Sequence, residues 1–70
     1  MNTDEALRVV AEIGLVAQLT TGPVSRCYLY LPDANPDLGR GWVGYGDSRE
    51  SLAEAIAKAL EQAAGYRLPR

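Results

Sequence analysis

Residues 39–44 read Gly39-Arg40-Gly41-Trp42-Val43-Gly44 and continue as Tyr45-Gly46-Asp47-Ser48. The first six letters match G-x-G-x-x-G, the turn that cradles a dinucleotide pyrophosphate. That turn must follow a parallel strand and open a helix, so that helix N–H groups meet the phosphates. Here Ala34-Asn35-Pro36-Asp37-Leu38 precedes Gly39, a proline-containing loop, and Trp42-Val43-Gly44-Tyr45 alternates as a strand does. The chain has no room for a second βαβ unit, and no Gly-Lys-Ser/Thr follows to make a Walker-type loop. The glycines therefore read as strand and turn residues, and no cofactor is expected.

Working outward, Asp47-Ser48-Arg49-Glu50 has the form of a capping box, so the strand over residues 41–46 is expected to hand over to a helix spanning 48–64. Leu52, Ile56, Leu60 and Ala63 recur at helical spacing with Ala53 and Ala59 beside them. Glu50, Glu54, Lys58 and Glu61 form the polar face, and Gly65 supplies a stop. On the N-terminal side, residues 32–40 are a loop rich in Pro, Asp and Asn. Before it, residues 24–31 carry the strongest β signal, with Cys27, Leu29 and Leu31 on one face and Arg26, Tyr28 and Tyr30 on the other. Residues 15–20 alternate likewise, and Thr21-Gly22-Pro23 turns them into an antiparallel hairpin with residues 24–31. Residues 3–13 form a helix capped by Asn2 or Thr3 and stopped by Gly14, with Leu7, Val10, Ala11 and Gly14 on its apolar face. The order is α-β-β-β-α: an α+β fold with a three-stranded antiparallel sheet and two helices. Residues 1–66 make one domain, and Arg67 and Arg70 make residues 67–70 a short basic tail.

Seventy residues sit near the lower limit for a self-sufficient core, which makes a homodimer plausible. The net charge is −2, and residues 1–66 hold nine carboxylates against five basic groups. Such a balance argues against direct nucleic-acid binding through a positive face. The sequence contains no histidine and one cysteine. This excludes Ser-His-Asp and Cys-His catalysis, His-ligated metals and an internal disulfide. Cys27 alternates with Leu29 and Leu31, so it reads as a small buried hydrophobe. Gly46-Asp47-Ser48 resembles a hydrolase nucleophile block but has no histidine to act as base. Asp33, Asn35 and Asp37 alternate as in a calcium loop, yet prolines interrupt them and no glutamate stands at the twelfth place. No catalytic residue and no metal ligand is assigned. The N-terminal Met1-Asn2-Thr3-Asp4-Glu5 lacks the basic start of a signal peptide, and no apolar run approaches the roughly 20 residues that span a bilayer. A cytoplasmic protein without membrane contact is expected.

Two surface readings remain. Arg40-Gly41-Trp42-Val43-Gly44-Tyr45 loosely echoes an RNA-binding aromatic strand, with Tyr28 and Tyr30 on a neighbour. Its spacing is two positions short, the element order differs, and only Arg26, Arg40 and Arg49 could line a cationic groove. The other reading is a protein-binding patch of Arg26, Tyr28, Tyr30, Arg40 and Trp42, the residue types that dominate interface hot spots. Which holds depends on the helices: both on one sheet face would bare this patch, whereas one on each would make the tyrosines core.

The stretch Gly41-Trp42-Val43-Gly44-Tyr45-Gly46-Asp47-Ser48-Arg49-Glu50-Ser51-Leu52-Ala53-Glu54-Ala55-Ile56-Ala57-Lys58-Ala59-Leu60-Glu61-Gln62-Ala63 resembles the end of the phage ABA-sandwich proteins: a Trp-bearing strand, a polar turn and an alanine-rich helix. The chain lacks the extended middle region of that family and has Ala57 and Lys58 where many members carry a cysteine. The resemblance implies a phage or prophage context and one helix on each side of a sheet, and it carries over no functional residue. By analogy with anti-CRISPR inhibitors as a class, it implies a non-enzymatic protein that occupies a host protein or ribonucleoprotein complex. A single-stranded nucleic-acid module and a phage structural or assembly subunit are the alternatives.

Overall fold

The computed structural model describes residues 2–34 and 41–64. The first helix, α1, spans Thr3–Glu12, and Asn2 caps it by accepting a hydrogen bond from the Glu5 amide at 2.8 Å. Asp4 and Glu5 lie in the first turn, where the helix dipole favours carboxylates. The helix closes in a Schellman motif. Gly14 takes φ +80°, its amide bonds the Ala11 carbonyl, and the Leu15 amide reaches back to the Val10 carbonyl, both at 3.1 Å.

Alternation then takes over. Strands β1 (Val16–Thr20), β2 (Ser25–Tyr30) and β3 (Trp42–Ser48) pair antiparallel in the order β1-β2-β3, followed by helix α2 over Leu52–Ala63. The α-β-β-β-α order and the α+β class are those expected from the sequence. The segment from 65 to 70, with Gly65, Arg67 and Arg70, lies outside the described residues, as does the loop from 35 to 40.

One buried cluster joins the layers. It combines Ala6 and Val10 of α1 with Leu15, with Cys27 and Leu29 of β2, and with Ala55, Ile56, Ala59 and Ala63 of α2. Both helices therefore pack on the same face of the sheet, contrary to the helix-per-face arrangement that the phage resemblance implies. On α1 the buried pair is Ala6 and Val10, whereas Ala11, expected on the apolar face, is exposed. The buried stripe therefore runs through Ala6 and Val10.

Gly44 and Gly46 face α2. A Cβ on Gly44 would meet the Ala59 carbonyl and come within 2.9 Å of the Ala63 methyl. On Gly46 it would meet the Ala55 carbonyl and come within 2.8 Å of Lys58 Cβ. The helix backbone thus rests on the strand backbone, and Ala55, Ala59 and Ala63, four residues apart, form the matching small stripe. Gly44 and Gly46 thus shape a helix–sheet contact.

The start of α2 differs from the expected one. Asp47 and Ser48 are the last residues of β3, held by register pairs with Arg26 and Ser25. The N-cap is Ser51, whose hydroxyl accepts from the Glu54 amide at 3.1 Å. Two capping registers compete in this stretch, Asp47 with Glu50 and Ser51 with Glu54. Strand pairing through Ser48 decides for the second. The buried Ser48 hydroxyl then braces the connection, accepting from the Glu50 amide at 3.0 Å and the Ser51 amide at 3.3 Å.

Candidate interaction face

With both helices on one side, neither α1 nor α2 lies over the opposite face of the sheet. Alternation places Val16, Gln18 and Thr20 of β1 there, beside Arg26, Tyr28 and Tyr30 of β2. On β3, simple alternation would put Trp42 with Gly44 and Gly46, under α2. A bulge prevents this. Leu29 pairs with Gly44 and Tyr30 with Trp42, so Val43 is the extra residue. The shift turns Trp42 to the open face together with Tyr45 and Asp47.

Three rings consequently meet. Tyr28 and Tyr45, directly opposite in register, have centroids 4.8 Å apart. Trp42 lies 6.3 Å from Tyr28, edge-on, and 6.0 Å from Tyr45. These are favourable tilted and T-shaped separations, so the rings hold one another in place without a helix above them. Trp42 keeps 42% of its surface exposed. The Tyr45 hydroxyl donates to the Asp47 carboxylate at 3.0 Å. That hydrogen bond, followed by slight desolvation and the negative charge of Asp47, pushes the Tyr45 phenol above its ordinary value. Arg26 stands opposite Asp47 in the same register. The three strand rows thus carry one positive and one negative side chain around an aromatic centre.

The residues expected at a binding patch separate on inspection. Arg26 is exposed, Tyr28 is half-buried and Trp42 is exposed, all on this face. Tyr30 shares the face by register but is 1% exposed, its hydroxyl donating to Gln18 Oε1 at 3.3 Å. It is therefore closed to a partner, which removes it from the expected patch. Arg40 lies outside the described residues. Tyr45 escaped the sequence reading because strict alternation opposes it to Trp42, and only the bulge reunites them.

No family model, curated protein or solved structure matches this chain.

On the helix side, an apolar hollow of about 330 Å³ lies between the C-terminal ends of the two helices. Val9, Ile13, Leu15, Val43, Leu60 and Ala63 line it. Its wall offers no acid, base or nucleophile. Cys27 is fully buried in the core, and burial pushes its thiol up to about 11. At neutral pH it is a protonated apolar group. Of the calcium-like trio, Asn35 and Asp37 lie outside the described residues. No described helix is long and apolar enough to cross a membrane.

Proposed function

We propose that this chain is a small non-enzymatic binding protein that docks the open face of its sheet on a protein partner and acts by occupying that partner's surface. One observation carries the reading: Tyr28, Trp42 and Tyr45 form a packed aromatic cluster on a sheet face that neither helix covers. Rigid, pre-clustered aromatics bury large area at low entropic cost, and a flanking Arg26 with Asp47 adds directional contacts at the rim. The resemblance of residues 41–63 to phage proteins supports a partner within a host complex, and occupancy is a mode of inhibition open to a chain without histidine. Such a protein would work in the cytoplasm of that host.

Exposed aromatic rings on adjacent strands also suit single-stranded nucleic acid, whose bases stack on such side chains. The neutral charge of the face favours protein instead, because base stacking on a sheet works together with a cationic groove along the backbone. The test compares the unaltered chain with Tyr28→Ala, Trp42→Ala and Ile13→Ala, each first shown to be folded by circular dichroism. Immobilised on resin, they are exposed to bacterial lysate and to a labelled single-stranded oligonucleotide. The reading expects a lysate protein that Tyr28→Ala and Trp42→Ala bind about 30-fold or more weakly and Ile13→Ala binds normally. Retention that is unchanged in both aromatic variants would defeat it. Oligonucleotide binding that collapses with salt and with Tyr28→Ala would install the nucleic-acid reading in its place.

A further inference from the structure

A three-stranded sheet has two edges, and this chain treats them differently. The β3 edge is guarded at its centre. Gln62 reaches over from α2, and its side-chain oxygen accepts from the Tyr45 amide at 2.6 Å. The bulge at Val43 further breaks the row of free backbone groups.

The β1 edge carries none of these guards. Val16-Ala17-Gln18-Leu19-Thr20 contains no charge, proline or glycine, in a chain of which 23% is charged. It pairs with β2 in unbroken register over all five residues. Among the described residues, no side chain bonds its outward amides or carbonyls. Ala17 and Leu19 remain only partly buried beside the core cluster. The exposed large apolar residues among those described are Ile13, Val16 and Trp42, and two of these three lie at or just before β1. A straight, uncharged edge with apolar neighbours is a template for another strand.

We propose that β1 pairs antiparallel with β1 of a second copy of this chain, about a two-fold axis through Gln18, to form a continuous six-stranded sheet. The strand is self-complementary in this register. Val16 falls opposite Thr20 of the second copy, Ala17 opposite Leu19, and Gln18 opposite Gln18. Large meets small on the core face, and no like charges oppose each other. Residues pair with others of the same parity, so the helices of both copies lie on one side and the aromatic clusters on the other. The pairing extends a core that a chain of this length can barely complete alone. It leaves the aromatic face free, so the dimer and the docking reading can fail separately.

Sedimentation equilibrium of the full chain tests it, together with oxidation of Gln18→Cys and Thr20→Cys variants. The pairing expects twice the chain mass of 7.6 kDa. Gln18→Cys becomes a covalent dimer because the two thiols face each other across the axis, and Thr20→Cys does not. Val16→Glu/Thr20→Glu, which sets carboxylates against carboxylates, shifts the species to monomer with its circular dichroism unchanged. Val16→Lys/Thr20→Glu restores the dimer. A monomer at every concentration overturns the proposal, and so does a dimer that Thr20→Cys bridges and Gln18→Cys does not.

Discussion

Replacing Gly46 with valine is expected to unfold the domain. The new Cβ would collide with the Ala55 carbonyl and lie 2.5 Å from the Ala59 amide nitrogen and 2.8 Å from Lys58 Cβ. Two of these atoms are helix backbone, which has no rotamer in which to escape, so α2 as a whole must lift from β3. Overpacking of a core by small increments costs about 1–3 kcal/mol, and a branched side chain against backbone stands at or beyond that upper end. A domain of this size is stabilised by only roughly 4–10 kcal/mol. Gly46→Ala should still fold in the cold but lose on the order of 3 kcal/mol. Gly41 supplies the contrast. It has φ +86° and nothing within 4 Å of a built Cβ, so Gly41→Ala costs only its left-handed strain, about 1 kcal/mol. Thermal denaturation followed by circular dichroism distinguishes the three. Equal losses at Gly41 and Gly46 would contradict a helix seated on the strand backbone.

Ile56→Ala is expected to be the most damaging truncation on α2. Ile56 is fully buried, among the largest fully buried side chains in the domain, and belongs to the cluster that joins both helices to β2. Removing three carbons leaves a void between two rigid layers, at a cost of about 2–5 kcal/mol. For a chain of this length each kcal/mol lowers the melting temperature by roughly 4–8 °C, so a fall of ten degrees or more is expected. Glu12→Ala, at an exposed site on α1, should fall within about 0.5 kcal/mol of the unaltered chain. Urea titration measures both. A small effect at Ile56 would mean that the helices do not share one core.

Much of this fold is legible in the letters because it rests on local signals. The period of two over residues 24–31 predicts which β2 side chains meet the core, and Cys27 and Leu29 are buried there. Asn2 and Gly14 bracket α1 by short-range chemistry alone. The failures come where two local rules compete or where a distant contact decides. Asp47 and Ser48 look like a helix cap, and their place in β3 depends on pairing with Arg26 and Ser25, more than twenty positions away. Gly44 belongs to a ligand turn by spelling. Its role, and that of Gly46, appears only when the alanine stripe of α2 is laid against them. The aromatic cluster needed both a side choice and a bulge. Neither the shared side of the helices nor the extra residue at Val43 leaves a periodic mark, so Tyr45 could not be placed on the face of Trp42 from alternation.

The openness of the aromatic face can be read directly, because Trp42 is the single tryptophan of the chain. Acrylamide quenching of its fluorescence in the folded protein, compared with the same protein in denaturant, is the decisive measurement. With Trp42 42% exposed beside Tyr28 and Tyr45, acrylamide should quench the folded protein substantially before any denaturant is added, though less than the unfolded chain. A blue-shifted emission that acrylamide reaches only after denaturation would place Trp42 beneath another layer and contradict the account.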